Sequence, residues 1–110
     1  MIKKLVTLAA LAMLLGSPTS YATFVLGNTL VETCDSDNSY DQGICAGFVL
    51  GVSDRIERKF ACPPKNGTVS GGQLVKVVRK YLEENPENLH WTGHFLVTIA
   101  LSQAFPCPDD

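Results

Sequence analysis

SGGQLVKVVRKYL (residues 70–82) is the clearest helical segment of this chain. Ser70 followed by Gln73 is a capping box, in which each side chain bonds the other residue's backbone amide and starts a helix. Apolar residues then recur at the i, i+3, i+4, i+7, i+8 spacing of one helical face, namely Leu74, Val77, Val78, Tyr81 and Leu82. The segment predicts an amphipathic helix packed on a core.

Two more helices are predicted before this segment. A short one covers residues 28–34, and a polar turn follows it. Asp41 can cap a second helix that runs to about Phe60. Its apolar residues fall on one face at helical spacing: Cys45, Phe48, Val49, Val52 and Ile56.

A fourth helix is predicted after it. Asn85-Pro86 ends the third helix and begins the fourth, because asparagine caps helices and proline suits the first turn. This helix runs to about Ala104, before Pro106, and we find no convincing strand pattern. The predicted fold is therefore all-α, a small disulfide-bonded bundle of about four helices, mostly antiparallel because the connections are short.

Residues 1–22 have the pattern of a secretory signal peptide. Lys3 and Lys4 form its basic start, residues 5–15 are apolar, and Ser20-Tyr21-Ala22 is a small-x-small cleavage site. The apolar run is shorter than the roughly 20 residues that span a bilayer. We therefore expect cleavage near Ala22 and no membrane anchorage.

Residues 23–110 are then a single domain in an oxidising compartment, for which a bacterial periplasm is the natural interpretation. In such a compartment Cys34, Cys45, Cys62 and Cys107 can pair as two disulfides.

Helix order selects the pairing. Cys45 and Cys62 lie at opposite ends of the predicted second helix, roughly 20 Å apart, whereas a disulfide tolerates about 7 Å between Cα atoms. Cys34 and Cys45 flank one turn, and Cys62 and Cys107 share the other end of an alternating bundle. We therefore expect Cys34–Cys45 and Cys62–Cys107.

The charge balance excludes some partners. Without Lys3 and Lys4 the chain has seven Lys and Arg against eleven Asp and Glu, a net charge of about −4. An acidic protein of this kind is not expected to bind nucleic acid or an anionic membrane surface.

No catalytic constellation is present in the sequence, so we expect neither an enzyme nor a cofactor. Oxidation of all four cysteines leaves no thiol, and there is no phosphate loop or nucleophile elbow. His90 and His94 have the i, i+4 spacing of metal ligands, but Trp91 stands where a zinc protease has its glutamate. With no third ligand evident, surface or interface histidines are the better interpretation and no metal site is predicted.

Gly43, Gly47 and Gly51 recur at every fourth position of the predicted second helix. Each glycine inside a helix lowers the stability of that helix by roughly 1 kcal/mol relative to alanine. Three such glycines on one face therefore indicate a compensating role. Close packing within the bundle is the interpretation that we favour, and a partner surface is the alternative.

The predicted fourth helix is apolar on two sides. One stripe comprises Leu89, Gly93, Leu96, Ala100 and Ala104, and a second comprises Trp91, Phe95 and Ile99. A surface helix needs only one apolar stripe. Either this helix is central in the bundle, or the second stripe is the interface of a homodimer, since aromatic residues are enriched in interface cores.

Three ordered blocks resemble one known family. Residues 45–54 resemble its C-x-G-Y/F-x-x-G-x-x-D helix, and residues 72–87 and 96–107 resemble its second and closing blocks. This is the Rap/Tai-type family of immunity proteins of type VI secretion. The resemblance implies a periplasmic, non-enzymatic, often dimeric helical protein that inhibits a peptidoglycan amidase toxin by covering its active-site cleft.

Such an inhibitor needs a protruding segment, and the sequence offers two. One is the loop from Pro63 to Gly72, and the other is the corner from Glu83 to His90. The residues that we expect to contact the amidase are Lys65, Asn66, Glu87, Asn88 and His90. The alternative function is that of a periplasmic acid-stress chaperone or another helical binding protein, which would bind unfolded clients below about pH 4.

Overall fold

Four α-helices form the bundle in the computed structural model, which describes residues 24–64 and 67–109. They are α1 (Gly27–Asp35), α2 (Ser39–Arg55), α3 (Gly71–Glu84) and α4 (Gly93–Ala104), with a 3₁₀ turn at Pro86–Asn88. These ranges contain an isolated antiparallel bridge between Leu26 and Thr92 but no strand. The predicted all-α fold is confirmed, and the predicted signal peptide lies outside the described residues.

The helix α3 begins as its capping box predicts. The Ser70 backbone amide donates to Oε1 of Gln73 over 2.8 Å, and the Gln73 amide donates to the Ser70 hydroxyl oxygen over 3.1 Å. Of the predicted stripe, Val78, Tyr81 and Leu82 are buried, and the other two residues pack against the core. The strong amphipathicity of α3 therefore comes from one buried face.

All four helices contribute to one core. Its largest fully buried side chains are Leu30 from α1, Val49 from α2, Val78 and Leu82 from α3, and Leu96, Val97 and Leu101 from α4. No charged or polar residue is buried within residues 24–64 and 67–109. The hydrophobic effect therefore holds the helices together without buried polar pairs.

Both predicted ends of the second helix are wrong. Asn38, not Asp41, is the N-cap, because its Oδ1 accepts from the Tyr40 amide over 2.8 Å. Asp41 lies in the first turn and accepts from the Ser36 hydroxyl over 2.8 Å. The helix ends at Arg55 rather than near Phe60, because Ile56 takes an extended conformation with a ψ of 132°, and the chain then runs to Cys62 and its bond with Cys107.

The fourth helix also begins later than predicted, at Gly93. The carbonyls of Leu89 and Trp91 accept from the Asn28 and Gly27 amides, each over 2.9 Å, instead of continuing a helix. The Gly93 amide in turn donates to the Val25 carbonyl over 2.8 Å. Pairing with a segment distant in sequence therefore overrides the helical signal of Asn85-Pro86.

Glycine is required where these segments cross. A Cβ at Gly27 would stand 2.6 Å from the Leu89 carbonyl oxygen and 2.8 Å from its Cα, which no side chain tolerates. A Cβ at Gly93 would stand 2.9 Å from a methyl group of Val25. These two glycines therefore let the N-terminal segment lie directly against the start of α4.

Both predicted disulfides are confirmed. Cys34 and Cys45 join α1 to α2 within the core, with 5.0 Å between their Cα atoms. Cys62 and Cys107 join the segment after α2 to the C-terminal segment, with 4.9 Å between Cα atoms. The Cys62 amide also donates to the Phe105 carbonyl over 2.9 Å. The two bonds therefore fasten opposite ends of α2, and no described cysteine is free.

Candidate partner-binding surfaces

An apolar groove of about 730 Å³ lies between α2 and α4, and we call it the α2–α4 groove. It is lined by Gly47, Phe48, Gly51, Val52, Arg55, Ile56, Glu57, Phe60, His94, Phe95 and Thr98. Charged side chains occur among these only at Arg55 and Glu57, with His94 as a third titratable group. Such a surface can bury apolar groups of a partner at little cost in charge desolvation.

Aromatic side chains project from this surface. Phe60 is 52% exposed and Phe95 is 48% exposed, although both are large and apolar. Trp91 lies next to Phe95, with 5.7 Å between their ring centroids. Contiguous exposed apolar groups of this kind mark interaction sites on soluble proteins.

Two of the three glycines of the α2 pattern, Gly47 and Gly51, line the same groove, and Gly43 lies outside it. A Cβ built at Gly43, Gly47 or Gly51 would have no neighbouring atom within 4 Å. The favoured prediction, close packing within the bundle, is therefore wrong, because no described segment passes over these glycines. The partner-surface alternative remains as a prediction.

The second apolar stripe divides between two environments. Trp91 precedes α4 and is exposed together with Phe95, whereas Ile99 packs against the core. The structure therefore brings two of the three predicted interface residues together. The sequence analysis missed Ile44 and Phe60, which are 41% and 52% exposed, although Ile44 precedes Gly47 and Gly51 by three and seven positions on one helical face.

The corner between α3 and α4 is rigid and polar. Asn88 is half-buried, and its Nδ2 donates to the Tyr81 hydroxyl over 3.3 Å, which makes it part of the corner's framework. Glu87 and His90 are exposed, and the neighbouring backbone is fixed by the bonds to residues 25–28. The corner thus presents two polar side chains on a held backbone, an arrangement that limits the entropy lost on binding.

The loop between α2 and α3 is fixed at both ends. At its start, Nη1 of Arg58 donates to the Pro63 carbonyl over 2.8 Å, and at its end stands the Ser70 cap. Gly67 has a φ of 76°, a left-handed conformation that glycine adopts without strain. The two predicted contact residues, Lys65 and Asn66, lie outside the described residues.

The two histidines do not share a helix as predicted, because His90 precedes α4 and His94 lies in its first turn. The described residues contain no cluster of three or more His, Cys, Asp and Glu side chains placed to hold a metal ion. The ring of His90 makes an edge contact with Trp91, with 6.0 Å between centroids.

None of the described helices combines the length and the apolar character needed to cross a membrane. A rigid, disulfide-bonded helical scaffold with exposed apolar and polar contact surfaces defines a protein-binding class. Within that class, residues 26–107 match the family model of the Rap1a immunity proteins, so the chain belongs to that family. A search of curated proteins found no match.

Proposed function

We propose that this immunity protein binds and inhibits a type VI secreted peptidoglycan amidase in the periplasm. The observation that carries the proposal is the family match, which spans both disulfides and all four helices. A signal peptide cleaved near Ala22 would deliver the chain to a compartment where these disulfides form. The proposed protein is a stoichiometric inhibitor and not an enzyme.

The corner between α3 and α4 is our first candidate for the segment that enters the amidase cleft. Glu87 and His90 are exposed there, and Asn88 supports the turn through Tyr81. A binding segment that is already ordered loses less conformational entropy when its partner arrives. The loop containing Lys65 and Asn66 is the second candidate, and both can contact one toxin.

The proposed inhibitor is also a homodimer. Trp91 and Phe95 support this part of the proposal, because they are exposed side by side, whereas Ile99 is half-buried against the core. A dimer would present two copies of each polar segment to its toxins.

The direct test combines the processed chain with the amidase effector encoded next to its gene. We expect complete inhibition of cross-link peptide hydrolysis at one inhibitor chain per toxin, and a Kd in the nanomolar range, about 1 nM to 100 nM. The double variants Glu87→Ala with His90→Ala, and Lys65→Ala with Asn66→Ala, separate the two candidate segments. Lys76→Ala, an exposed change on α3, is the matched control.

Loss of inhibition in one double variant, with Lys76→Ala unaffected, would identify the contacting segment. Full inhibition by both double variants would exclude both segments. If the wild type neither bound nor inhibited the amidase, but prevented aggregation of unrelated proteins at about pH 3, the chaperone function would replace this proposal. The exposed α2–α4 groove is the observation that keeps this second function in the test, since chaperones bind clients through apolar surface.

A further inference from the structure

Tyr81 connects the corner between α3 and α4 to the core. We propose that Tyr81 positions this corner: its hydroxyl holds Asn88, and the bond keeps the exposed Glu87 and His90 in the arrangement that binds the toxin. The inference rests on the proposed function and deepens it, because it names a residue that sets the toxin affinity without touching the toxin. It also makes Asn88, a predicted contact residue, a support for its neighbours.

The hydroxyl of Tyr81 has a fixed position. Tyr81 is only 8% exposed and belongs to the buried core cluster together with Leu82 of the same helix and Leu96 of α4. Because protein cores are close-packed, a ring held in this way keeps its direction. Nδ2 of Asn88 donates to this hydroxyl over 3.3 Å. The core therefore fixes a side chain of the corner through a residue that is itself almost out of a partner's reach.

Tyr81 binds both asparagines that flank the 3₁₀ turn. Asn85 is the N-cap of this turn and Asn88 is its last residue. Nδ2 of Asn85 donates to the Tyr81 carbonyl over 2.8 Å, while Asn88 donates to the hydroxyl. Backbone hydrogen bonds of a 3₁₀ turn have poor geometry, so side-chain bonds contribute more to holding it. The turn is therefore attached to α3 at both of its ends through one residue.

The backbone of Asn88 belongs to two successive turns. Its amide donates to the Asn85 carbonyl over 3.1 Å, and its carbonyl accepts from the Trp91 amide over 2.9 Å. Glu87 lies in the first of these turns and His90 in the second, and both side chains are exposed. A displacement of Asn88 would therefore move both side chains that we expect to contact the toxin.

Backbone bonds to α1 support the second half of the corner. The carbonyls of Leu89 and Trp91 accept from the first two amides of α1, each over 2.9 Å. The 3₁₀ turn comes before these residues, carries Glu87, and is bonded to α3 through Tyr81. Loss of the Tyr81 hydroxyl should therefore loosen the turn and leave the rest of the bundle folded.

A loosened corner lowers the toxin affinity in proportion to the time that it spends out of place. The apparent Kd rises by the inverse of the fraction of molecules in the binding-competent arrangement. The net contribution of one neutral hydrogen bond corresponds to a factor of about 3 to 10 in such an equilibrium. An effect of this size is the one expected if Tyr81 acts through Asn88 alone.

The experiment removes either partner of the bond, and then both. Tyr81→Phe keeps the ring and removes the hydroxyl, whereas Asn88→Ala changes a half-buried residue of the corner and leaves the core intact. Tyr40→Phe is the matched control, because it removes the same hydroxyl from a residue of α2 that is 74% exposed. The Kd for the amidase encoded next to the gene is measured by calorimetry, and circular dichroism checks the helix content of each variant.

We expect Tyr81→Phe and Asn88→Ala each to raise the Kd by about 3-fold to 10-fold at unchanged helix content. The double variant should bind within about twofold of either single variant, because all three lack the same bond. Tyr40→Phe should stay within about twofold of the wild type, the range of an exposed side chain without a role. An unchanged Kd in Tyr81→Phe would overturn the inference. So would additive losses in the double variant, since Asn88 would then contact the toxin itself.

Hydrogen exchange without the toxin separates this inference from the proposed function. The amides of residues 86–91 should exchange about fivefold faster in Tyr81→Phe and in Asn88→Ala than in the wild type or in Tyr40→Phe. If the wild type does not bind the amidase and exchange is faster, the proposed function fails and the role of Tyr81 in the corner stands. If exchange in Tyr81→Phe is unchanged, the inference is wrong whether or not the wild type inhibits.

Discussion

The outer face of α3 and the α2–α4 face enclose the same core but differ in composition. On α3 the exposed residues include Lys76, Arg79, Lys80, Glu83 and Glu84, whereas α4 carries no Asp, Glu, Lys or Arg at all. Phe95 and Phe60 stand exposed where α3 would have charges. The face of α3 has the composition expected of a helix that packs its apolar side on the core and exposes its other side to water.

The exposed apolar residues and glycines of the α2–α4 face are not required by the core. Burial of Val49 and Cys45 accounts for the inner side of α2, but it gives no reason for Ile44 or the glycines on the outer side. A charged outer face would keep the same core and add solubility. We therefore expect a partner to contact the α2–α4 face, and the following substitutions test this comparison from the largest expected effect to the smallest.

Removal of the buried disulfide should destabilise both faces together, because both are supported by one core. The double variant Cys34→Ala with Cys45→Ala opens a loop with a sequence separation of 11, worth about 3 kcal/mol by loop entropy. Both sulfurs are also buried, and their loss adds roughly 1 kcal/mol or more through the cavity left behind. Urea unfolding followed by circular dichroism measures the sum.

Its comparator is Cys62→Ala with Cys107→Ala, where the separation is 45 and loop entropy gives about 4 kcal/mol. Those cysteines are only half-buried, so little cavity cost is added. The two double variants should therefore be destabilised to a similar degree by different causes. Unchanged stability in the Cys34 and Cys45 variant would contradict a shared core held by that bond.

Alanine at Gly27 should have the next largest effect, and the opposite sign to alanine at Gly47. The new Cβ at Gly27 would meet the Leu89 backbone at 2.6 Å and 2.8 Å, and overpacking of this kind costs about 1–3 kcal/mol. At Gly47 the same methyl group meets nothing within 4 Å, so helix propensity should stabilise the monomer by up to about 1 kcal/mol. Thermal unfolding at a concentration below dimerisation measures both. Equal changes in unfolding temperature at the two positions would contradict the distinction between a crowded glycine at Gly27 and an open glycine at Gly47.

Local signals made much of this fold predictable from the sequence. The capping box at Ser70 and the apolar stripe behind it are short-range patterns, and both are confirmed. The disulfides followed from helix order, because only one pairing suits a helix with Cys45 at one end and Cys62 beyond the other. Membership of the immunity family was likewise predictable from ordered blocks of residues.

Long-range contacts explain what the sequence did not predict. The start of α4 was placed at Pro86 because the pairing of Leu89 and Trp91 with the N-terminal segment has no local signature. The environment of Gly47 was misassigned because spacing alone does not say whether a neighbouring segment crosses a helix. The exposed position of Phe60 follows from the end of α2 at Arg55 and from the turn after it, in which the Phe60 amide donates to the Glu57 carbonyl over 2.9 Å.

Loss of the helix cap should affect α3 and leave the α2–α4 face unchanged. Ser70→Ala removes the acceptor of the Gln73 amide and should cost about 1 kcal/mol. Ser70→Thr keeps an oxygen in that position and is the control. We expect lower unfolding temperatures for the alanine variant and an unchanged dimer affinity for both, measured by sedimentation. A weaker dimer in Ser70→Ala would mean that the two faces are coupled through the loop before α3.

Removal of a charge from α3 should have the smallest effect. The ion pair between Nη2 of Arg79 and Oδ1 of Asp35 spans 3.2 Å, but the two side chains are 49% and 61% exposed. Water and salt screen such a pair, so Arg79→Ala should change the free energy of unfolding by no more than about 0.5 kcal/mol. The variant should also keep the wild-type molar mass and inhibition, because nothing in the comparison assigns this face to a partner. A loss of inhibition in Arg79→Ala at unchanged stability would show that the charged face contacts the toxin, and the division of roles between the two faces would then be wrong.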